Sequence, residues 1–216
     1  MNRPLRRALA PIAVAAALLG AALAPSPARA GAYLDEWHPH QTFWSVGYEA
    51  GFPVGSLKKN WVSNPGWIGG GFDLRFGVVG RLSVGAAGTW NWFSQTFQNY
   101  SVQGPNSLIT GTIYRRLGAF TLRANVHYYL TATAIQPYVG LGIGGVWTSS
   151  RLQVVNVPQF TDVAAWTAGP EFGVLFNVAP RFALYLLGRY EFTLASWSSV
   201  EHAQWIGAQA GFAFYY

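Results

Sequence analysis

The chain has 216 residues, 14 Lys and Arg against 8 Asp and Glu, no Cys, and is 51% hydrophobic but only 10% charged. Soluble domains are usually about one quarter charged, and disordered chains are poor in aromatics, so neither class suits 10 Trp, 11 Tyr and 14 Phe beside so little charge. Without Cys, disulfide scaffolds, cysteine zinc sites, thiol catalysis and a lipid-modified N-terminal Cys are excluded.

Residues 1–30 read as a secretory signal peptide. Arg3, Arg6 and Arg7 form its basic start, Ala8 to Ala24 its apolar stretch, and Ala28-Arg29-Ala30 its small-x-small cleavage site. Pro11 and the adjacent cleavage site argue against a retained membrane helix. Four arginines leave with this leader and no acid does. The mature 186 residues therefore carry ten basic and eight acidic side chains, a formal +2. The basic balance that suggested nucleic acid belongs mostly to the leader, and an exported chain does not meet cytoplasmic nucleic acid. Residues 31–41 are expected to form a short periplasmic arm, and residues 42–216 a single domain.

No mature stretch approaches the ~20 continuous apolar residues of a membrane helix. Strict alternation recurs instead, the mark of a strand with two unlike faces. It predicts eight strands, near 42–52, 67–78, 82–93, 119–131, 137–148, 166–178, 182–194 and 204–216. In the first, Trp44, Val46, Tyr48, Ala50 and Phe52 oppose Ser45, Gly47, Glu49 and Gly51; in the second, Phe72, Leu74, Phe76 and Val78 oppose Gly71, Asp73, Arg75 and Gly77. The fourth sets Phe120, Leu122, Ala124, Val126 and Tyr128 against Thr121, Arg123, Asn125, His127 and Tyr129.

The charges decide between two architectures. Glu49, Asp73, Arg75, Arg123, Glu171, Arg189 and Glu191 all fall on the less apolar face of their strands. A lipid-facing charge at the midplane costs about 2–4 kcal/mol, so a membrane barrel turns its charges inward. A soluble sandwich gives the same alternation with the faces exchanged. Here the polar face is small and Gly-rich (Gly69, Gly71, Gly140, Gly142, Gly144, Gly207, Gly211), which suits a crowded lumen better than a wet surface.

Connections alternate in length: short near 79–81, 132–136 and 179–181, long near 53–66, 94–118, 149–165 and 195–203. That is the outer-membrane pattern of short periplasmic turns and long external loops. The expectation is an all-β, eight-stranded antiparallel transmembrane up-and-down barrel with both termini in the periplasm. Leu108 to Leu117 has β character without a clear place: part of a long second loop, an upward extension of strand four, or a sign of ten strands. The Trp residues at 44, 67, 90, 92, 147, 166, 197 and 205 are expected to form interfacial girdles.

Tyr128-Tyr129-Leu130 and Pro137-Tyr138-Val139-Gly140-Leu141-Gly142-Ile143-Gly144 resemble a descending and an ascending strand of small OmpA/OmpX-like and OmpW-like outer-membrane barrels. The terminal Gln209-x-Gly211-x-x-Phe214-x-Tyr216 is similar to the signal read by the barrel-assembly machinery. The resemblance implies an integral outer-membrane protein, in contact with lipid and lipopolysaccharide and expected to be monomeric. Because the chain stops at its last strand, no periplasmic peptidoglycan-binding domain is expected. It says little about activity, because these barrels carry many functions on one fold.

Glu49, Asp73, Arg75, Arg123, His127, Glu171, Arg189 and Glu191 are expected to pair across the lumen as a structural ion network. Lys58, Lys59, Arg115, Arg116 and Arg151 make a basic external rim suited to lipopolysaccharide phosphates. No catalytic constellation is evident. His127 is followed by Tyr128-Tyr129 rather than the His-x-Ser of one lipid A-modifying barrel enzyme, and His202 has no Ser partner in register. His38-Pro39-His40 with Asp35 and Glu36 is not a recognised metal cage, the Gly-rich strands are not phosphate loops, and no cofactor is implied. The expected role is a non-catalytic scaffold with interacting external loops. The alternatives are a conduit admitting small hydrophobic solutes through the barrel wall and, more distantly, a lipid A-modifying enzyme.

Overall fold

The computed structural model describes residues 42–103, 108–154, 157–197 and 200–216. The expected leader and the arm at 31–41, with His38 and His40, lie outside the described residues. Eight strands follow in chain order: β1 (Phe43–Val54), β2 (Ile68–Val79), β3 (Leu82–Gln103), β4 (Leu108–Tyr129), β5 (Ile135–Val154), β6 (Val157–Ala179), β7 (Phe182–Thr193) and β8 (Gln204–Tyr215). A one-and-a-half-turn helix, α1 (Gly55–Asn60), follows β1. Each strand pairs antiparallel with its neighbour, and β1 pairs with β8 from Phe43↔Tyr215 to Val54↔Gln204, which closes the barrel.

Closure leaves no unpaired edge around the wall, as a structure in lipid requires. Outward positions carry Trp44, Val46, Phe72, Leu74, Phe76, Val126, Leu141, Ile143 and Phe172, all exposed. In water this belt would far exceed the few hundred Å² of apolar patch that soluble monomers tolerate; lipid is the solvent that suits it. The two-residue hairpin turn after β2 places Gly80 at φ 55°, a left-handed conformation a side chain rarely adopts.

The four middle strands are much longer than the alternation predicted. β3, β4, β5 and β6 have 22, 22, 20 and 23 residues, whereas the other four have 12 each. The segments 94–118 and 149–165, expected as loops, are mostly hairpin: β3 pairs with β4 out to Gln103↔Leu108, and β5 with β6 out to Val154↔Val157. Leu108–Leu117 is thus the upward extension of β4, and the ten-stranded alternative falls. The β2–β3 ladder stops at Ile68↔Trp92 and the β6–β7 ladder at Thr167↔Thr193. Above those pairs, β3 to β6 continue as a four-stranded sheet whose lower inner face is packed by the end of α1 and the residues after it, Ser63 N–H donating to Gln95 Oε1 and Arg115 to the Asn60 carbonyl.

The lumen is layered. Near the end where β1 begins and β8 finishes, Phe43, Tyr129, Tyr138, Leu175, Tyr185, Leu187 and Tyr215 form an aromatic and aliphatic floor. At the opposite end α1 supplies Leu57, with Trp61 and Val62 just beyond it, and the segment before β8 supplies Ala195, Trp197, Val200 and Ala203. These pack on Phe93, Leu117, Val146 and Trp205 of the wall as an apolar cap. Trp61 meets Trp197 edge-on at 6.3 Å, and Phe93 meets Trp205 at 6.1 Å. Trp197 and Trp205 therefore belong to the interior and not to an outer girdle. Both are turned from lipid because the cap, roofing the lumen, needs large apolar side chains. Ser56 Oγ donates to the carbonyls of Glu201 and His202, tying the start of α1 to the last loop.

Candidate functional site: the sealed polar lumen and the outer rim

Between floor and cap lies a polar layer built by the inward positions of the strands. All eight sequence-predicted lumen residues are buried there, from Glu49 and His127 at 0% exposure to Asp73 at 3%. They form three linked groups. Arg75 donates through Nε to Asp73 Oδ2 at 2.7 Å and reaches the Tyr129 and Tyr138 hydroxyls at 3.2 Å each. Its guanidinium lies 4.4 Å from the Tyr138 ring centroid, and Asn125 Nδ2 donates to the other oxygen of Asp73 at 3.3 Å.

The second group centres on Arg123, which forks between two carboxylates. Nη2 is 2.5 Å from Glu171 Oε1 and Nη1 is 2.9 Å from Glu191 Oε1. His127 Nε2 meets the remaining Glu171 oxygen at 2.6 Å, and Thr167 Oγ1 donates to Glu191 Oε2 at 3.0 Å. In the third group Arg189 Nη1 lies 3.5 Å from Glu49 Oε2, and Asn91 Nδ2 donates to Glu49 Oε1 at 2.7 Å. Arg189 Nη2 donates to Gln209 Oε1, and Gln209 Nε2 to the Tyr185 hydroxyl, both at 2.7 Å. Four carboxylates thus face three guanidiniums and one imidazole. Glycines make the room: a Cβ on Gly140 would stand 2.3 Å from the His127 ring, and one on Gly207 2.6 Å from Glu49 Oε1.

Several members were not among the eight residues expected to pair. Asn125 and Tyr129, already placed on the inward face, join Asn91, Thr167, Tyr138 and Tyr185 in completing the network, and Gln209, singled out for the assembly signal, is a hydrogen-bonding member of it. Their inward parity was available as a signal. Of the other signal positions, Gly211 faces the lumen against Tyr185, Phe214 stacks outward on Trp44 at 4.6 Å, and Tyr216 is fully exposed beyond the last strand.

The basic rim divides. Lys58 and Lys59 are exposed in the last turn of α1. Arg115 departs from the expected rim, because its parity on β4 is that of Leu117, Ala119 and Arg123. It turns inward, donating to the Asn60 carbonyl at 2.9 Å and lying 4.9 Å from the Phe97 ring centroid. Arg116 and Arg151 face outward, directly opposite each other in the β4–β5 ladder. Below them Ile68, Trp90, Trp92, Phe120 and Trp147 surround Gly118 in a groove of about 540 Å³.

No family model matches the chain, and no curated protein sequence is similar to it. Solved structures are. Neisserial surface protein A matches with a TM-score of 0.55 at 14% identity, over 83% of this chain and 98% of that one. The attachment invasion locus protein Ail of Yersinia pestis matches at 0.50 and 13% identity, over 82% and 99%. The fold is that of a small eight-stranded outer-membrane β-barrel. OprG, an outer membrane protein of Pseudomonas aeruginosa, also matches at 0.50 and 11% identity, over 82% and 96%. At these identities the likeness concerns the barrel alone. It matches what the exposed apolar belt and closed ladder require independently.

Proposed function

We propose that this chain is a non-conducting, non-catalytic scaffold integral to the outer membrane, which carries its upright β3–β6 sheet beyond the outer leaflet as an interaction surface. The observation that supports this reading is the double closure of the lumen. A solute on the axis would have to pass the Trp61, Trp197 and Trp205 cap, then a fully buried ion network, then the Tyr129, Tyr138 and Tyr185 floor. An eight-stranded barrel is just wide enough for its side chains to fill it. The lumen charges serve stability here, and external Lys58, Lys59, Arg116 and Arg151 contact lipopolysaccharide. The terminal Gln209, Gly211, Phe214 and Tyr216 address the assembly machinery. The test is a planar-bilayer recording of the purified chain: no stable unitary conductance is expected, and a persistent large-conductance pore overturns the reading.

One observation favours the conduit alternative. The β6–β7 ladder lapses between Ala168↔Phe192 and Glu171↔Arg189, where Pro170 has no N–H to give. The strands nevertheless close tightly at that gap, since a Cβ on Gly169 would overlap the Tyr190 carbonyl. Uptake of a small hydrophobic solute into proteoliposomes, lost on tethering β6 to β7, would favour the conduit over the scaffold.

A further inference from the structure

The buried charges of the lumen do not balance in pairs. Asp73 has Arg75 and Glu49 has Arg189, one carboxylate to one guanidinium. Glu171 and Glu191 share Arg123, so that fork is left with one negative charge in excess. Arg189, the other cation facing Glu191, is committed to Glu49 and Gln209. All these charged groups are at most 3% exposed, where an uncompensated charge is expensive. One further proton balances the fork. Imidazole is a poor place for it. His127 Nε2 meets Glu171, and Nδ1 has no partner among the described residues, so an imidazolium would bury an unsatisfied N–H.

Thr167 points to a better one. Its Oγ1 lies 3.0 Å from Glu191 Oε2 and 3.1 Å from the Phe192 carbonyl oxygen. A hydroxyl has one hydrogen to give, and a carbonyl can only accept. Both contacts are hydrogen bonds at once when Thr167 donates to Phe192 and Glu191 brings its own hydrogen to Thr167. The aim of Arg123 agrees. Nη2 donates to Glu171, whereas Nη1 stands 2.9 Å from Glu191 Oε1 without forming a hydrogen bond. The site of Glu191 in the wall gives such a proton something to hold. In the β6–β7 register Glu191 falls opposite Gly169, and there and at Pro170 the ladder has no pair. Thr167 is the next inward position above Gly169 on β6. The chain Glu191–Thr167–Phe192 thus crosses from β7 to β6 and back where backbone rungs are missing.

We infer that Glu191 is a neutral carboxylic acid at neutral pH, that its Oε2–H donates to Thr167, and that this bond clasps β6 to β7 across the gap at Pro170. An ionised Glu191 has no hydrogen for Thr167, so losing the proton would open the clasp and charge the wall beside it. The clasp is independent of the scaffold reading and serves a sealed or a conducting barrel alike. The mature chain is folded in an ester-free detergent, and its infrared spectrum is recorded in heavy water at neutral pH. One C=O stretch of a protonated carboxylic acid is expected. Glu191→Gln should lose it, Thr167→Val should shift it upward by removing the acceptor of the O–H, and His127→Phe should leave it in place. Glutamine keeps the shape and a donor toward Thr167, so Glu191→Gln should hold the wild-type urea midpoint. Thr167→Val should speed backbone hydrogen exchange over residues 166–171 about fivefold, the worth of one hydrogen bond. Absence of the band in the wild type overturns the inference, as does a band that Thr167→Val leaves unmoved. A midpoint lowered by more than about 1 M in Glu191→Gln, the loss that breaking an ion pair would give, overturns it too. The mobility of unboiled protein in a gel checks the fold of each variant, and the wild-type spectrum tests the proposal without any of them.

Discussion

Arg123→Met is the most informative single change in the lumen. The side chain sits between Glu171 and Glu191, at 2.5 and 2.9 Å, and all three are without solvent contact. Methionine fills much of the volume but leaves Glu191 with the Thr167 hydroxyl as its one hydrogen-bond partner among the described residues, while Glu171 keeps His127. Removing one partner of a buried pair costs about 3–5 kcal/mol, because the stranded carboxylate has lost its water and gained nothing. At a urea slope of about 2 kcal/mol/M, a loss of about 4 kcal/mol lowers the unfolding midpoint by about 2 M. The assay is urea unfolding of the chain folded into lipid vesicles, followed by Trp fluorescence with the slope unchanged. Arg123→Met/Glu171→Gln/Glu191→Gln removes the stranded charges and should recover most of the loss. The reasoning fails if the single variant moves the midpoint by less than about a quarter of that amount, or if the triple variant unfolds no later than the single one.

Three further outcomes follow from other layers. Leu141→Arg, which puts a charge on the outward face of β5, should cost about 2–4 kcal/mol of folding stability in vesicles, whereas a soluble sandwich would tolerate it in water. Trp205→Ala opens a cavity in the cap and should cost about 3–5 kcal/mol, yet single-channel recordings should stay silent because the ion layer beneath it still fills the lumen. Gly140→Val drives a side chain into the His127 ring, so the folded fraction measured by gel mobility should collapse, while Gly145→Val, whose Cβ would meet nothing nearer than 3.7 Å, should fold.

The barrel itself was legible because lipid and lumen impose opposite demands on alternate residues. Phe120, Leu122 and Val126 against Arg123, Asn125 and His127 can be sorted without coordinates. The same logic failed where the lipid stops. Above Trp92 and Gly118 both faces of β3 and β4 leave the membrane, so the contrast fades while the strands continue. Arg115 was misplaced for that reason, although counting back from Arg123 in steps of two puts it inside. Trp205 was placed by residue type when its parity with Gly207 and Gln209 already turned it inward. Helix α1, only six residues long, has too few turns to leave a periodic trace. The pairing of Arg116 with Arg151 depends on the β4–β5 register, which no single strand reveals.

The unequal strand lengths give the molecule a front and a back. Half of the rim stands tall and the other half ends at the leaflet, so a neighbour drifting in the membrane plane meets a wall from one side and nothing from the other. Such a crest has two margins, along β3 and along β6, where a further strand would have to add. On β6 the margin carries Pro158, which withholds a donor, and Asp162, which adds a charge; both discourage open-ended pairing. The β3 margin has neither between Ser94 and Gln98. The barrel is therefore polarised not only across the membrane but also around its own axis, with Pro158 and Asp162 on one flank and Ser63 hydrogen-bonded to Gln95 on the other.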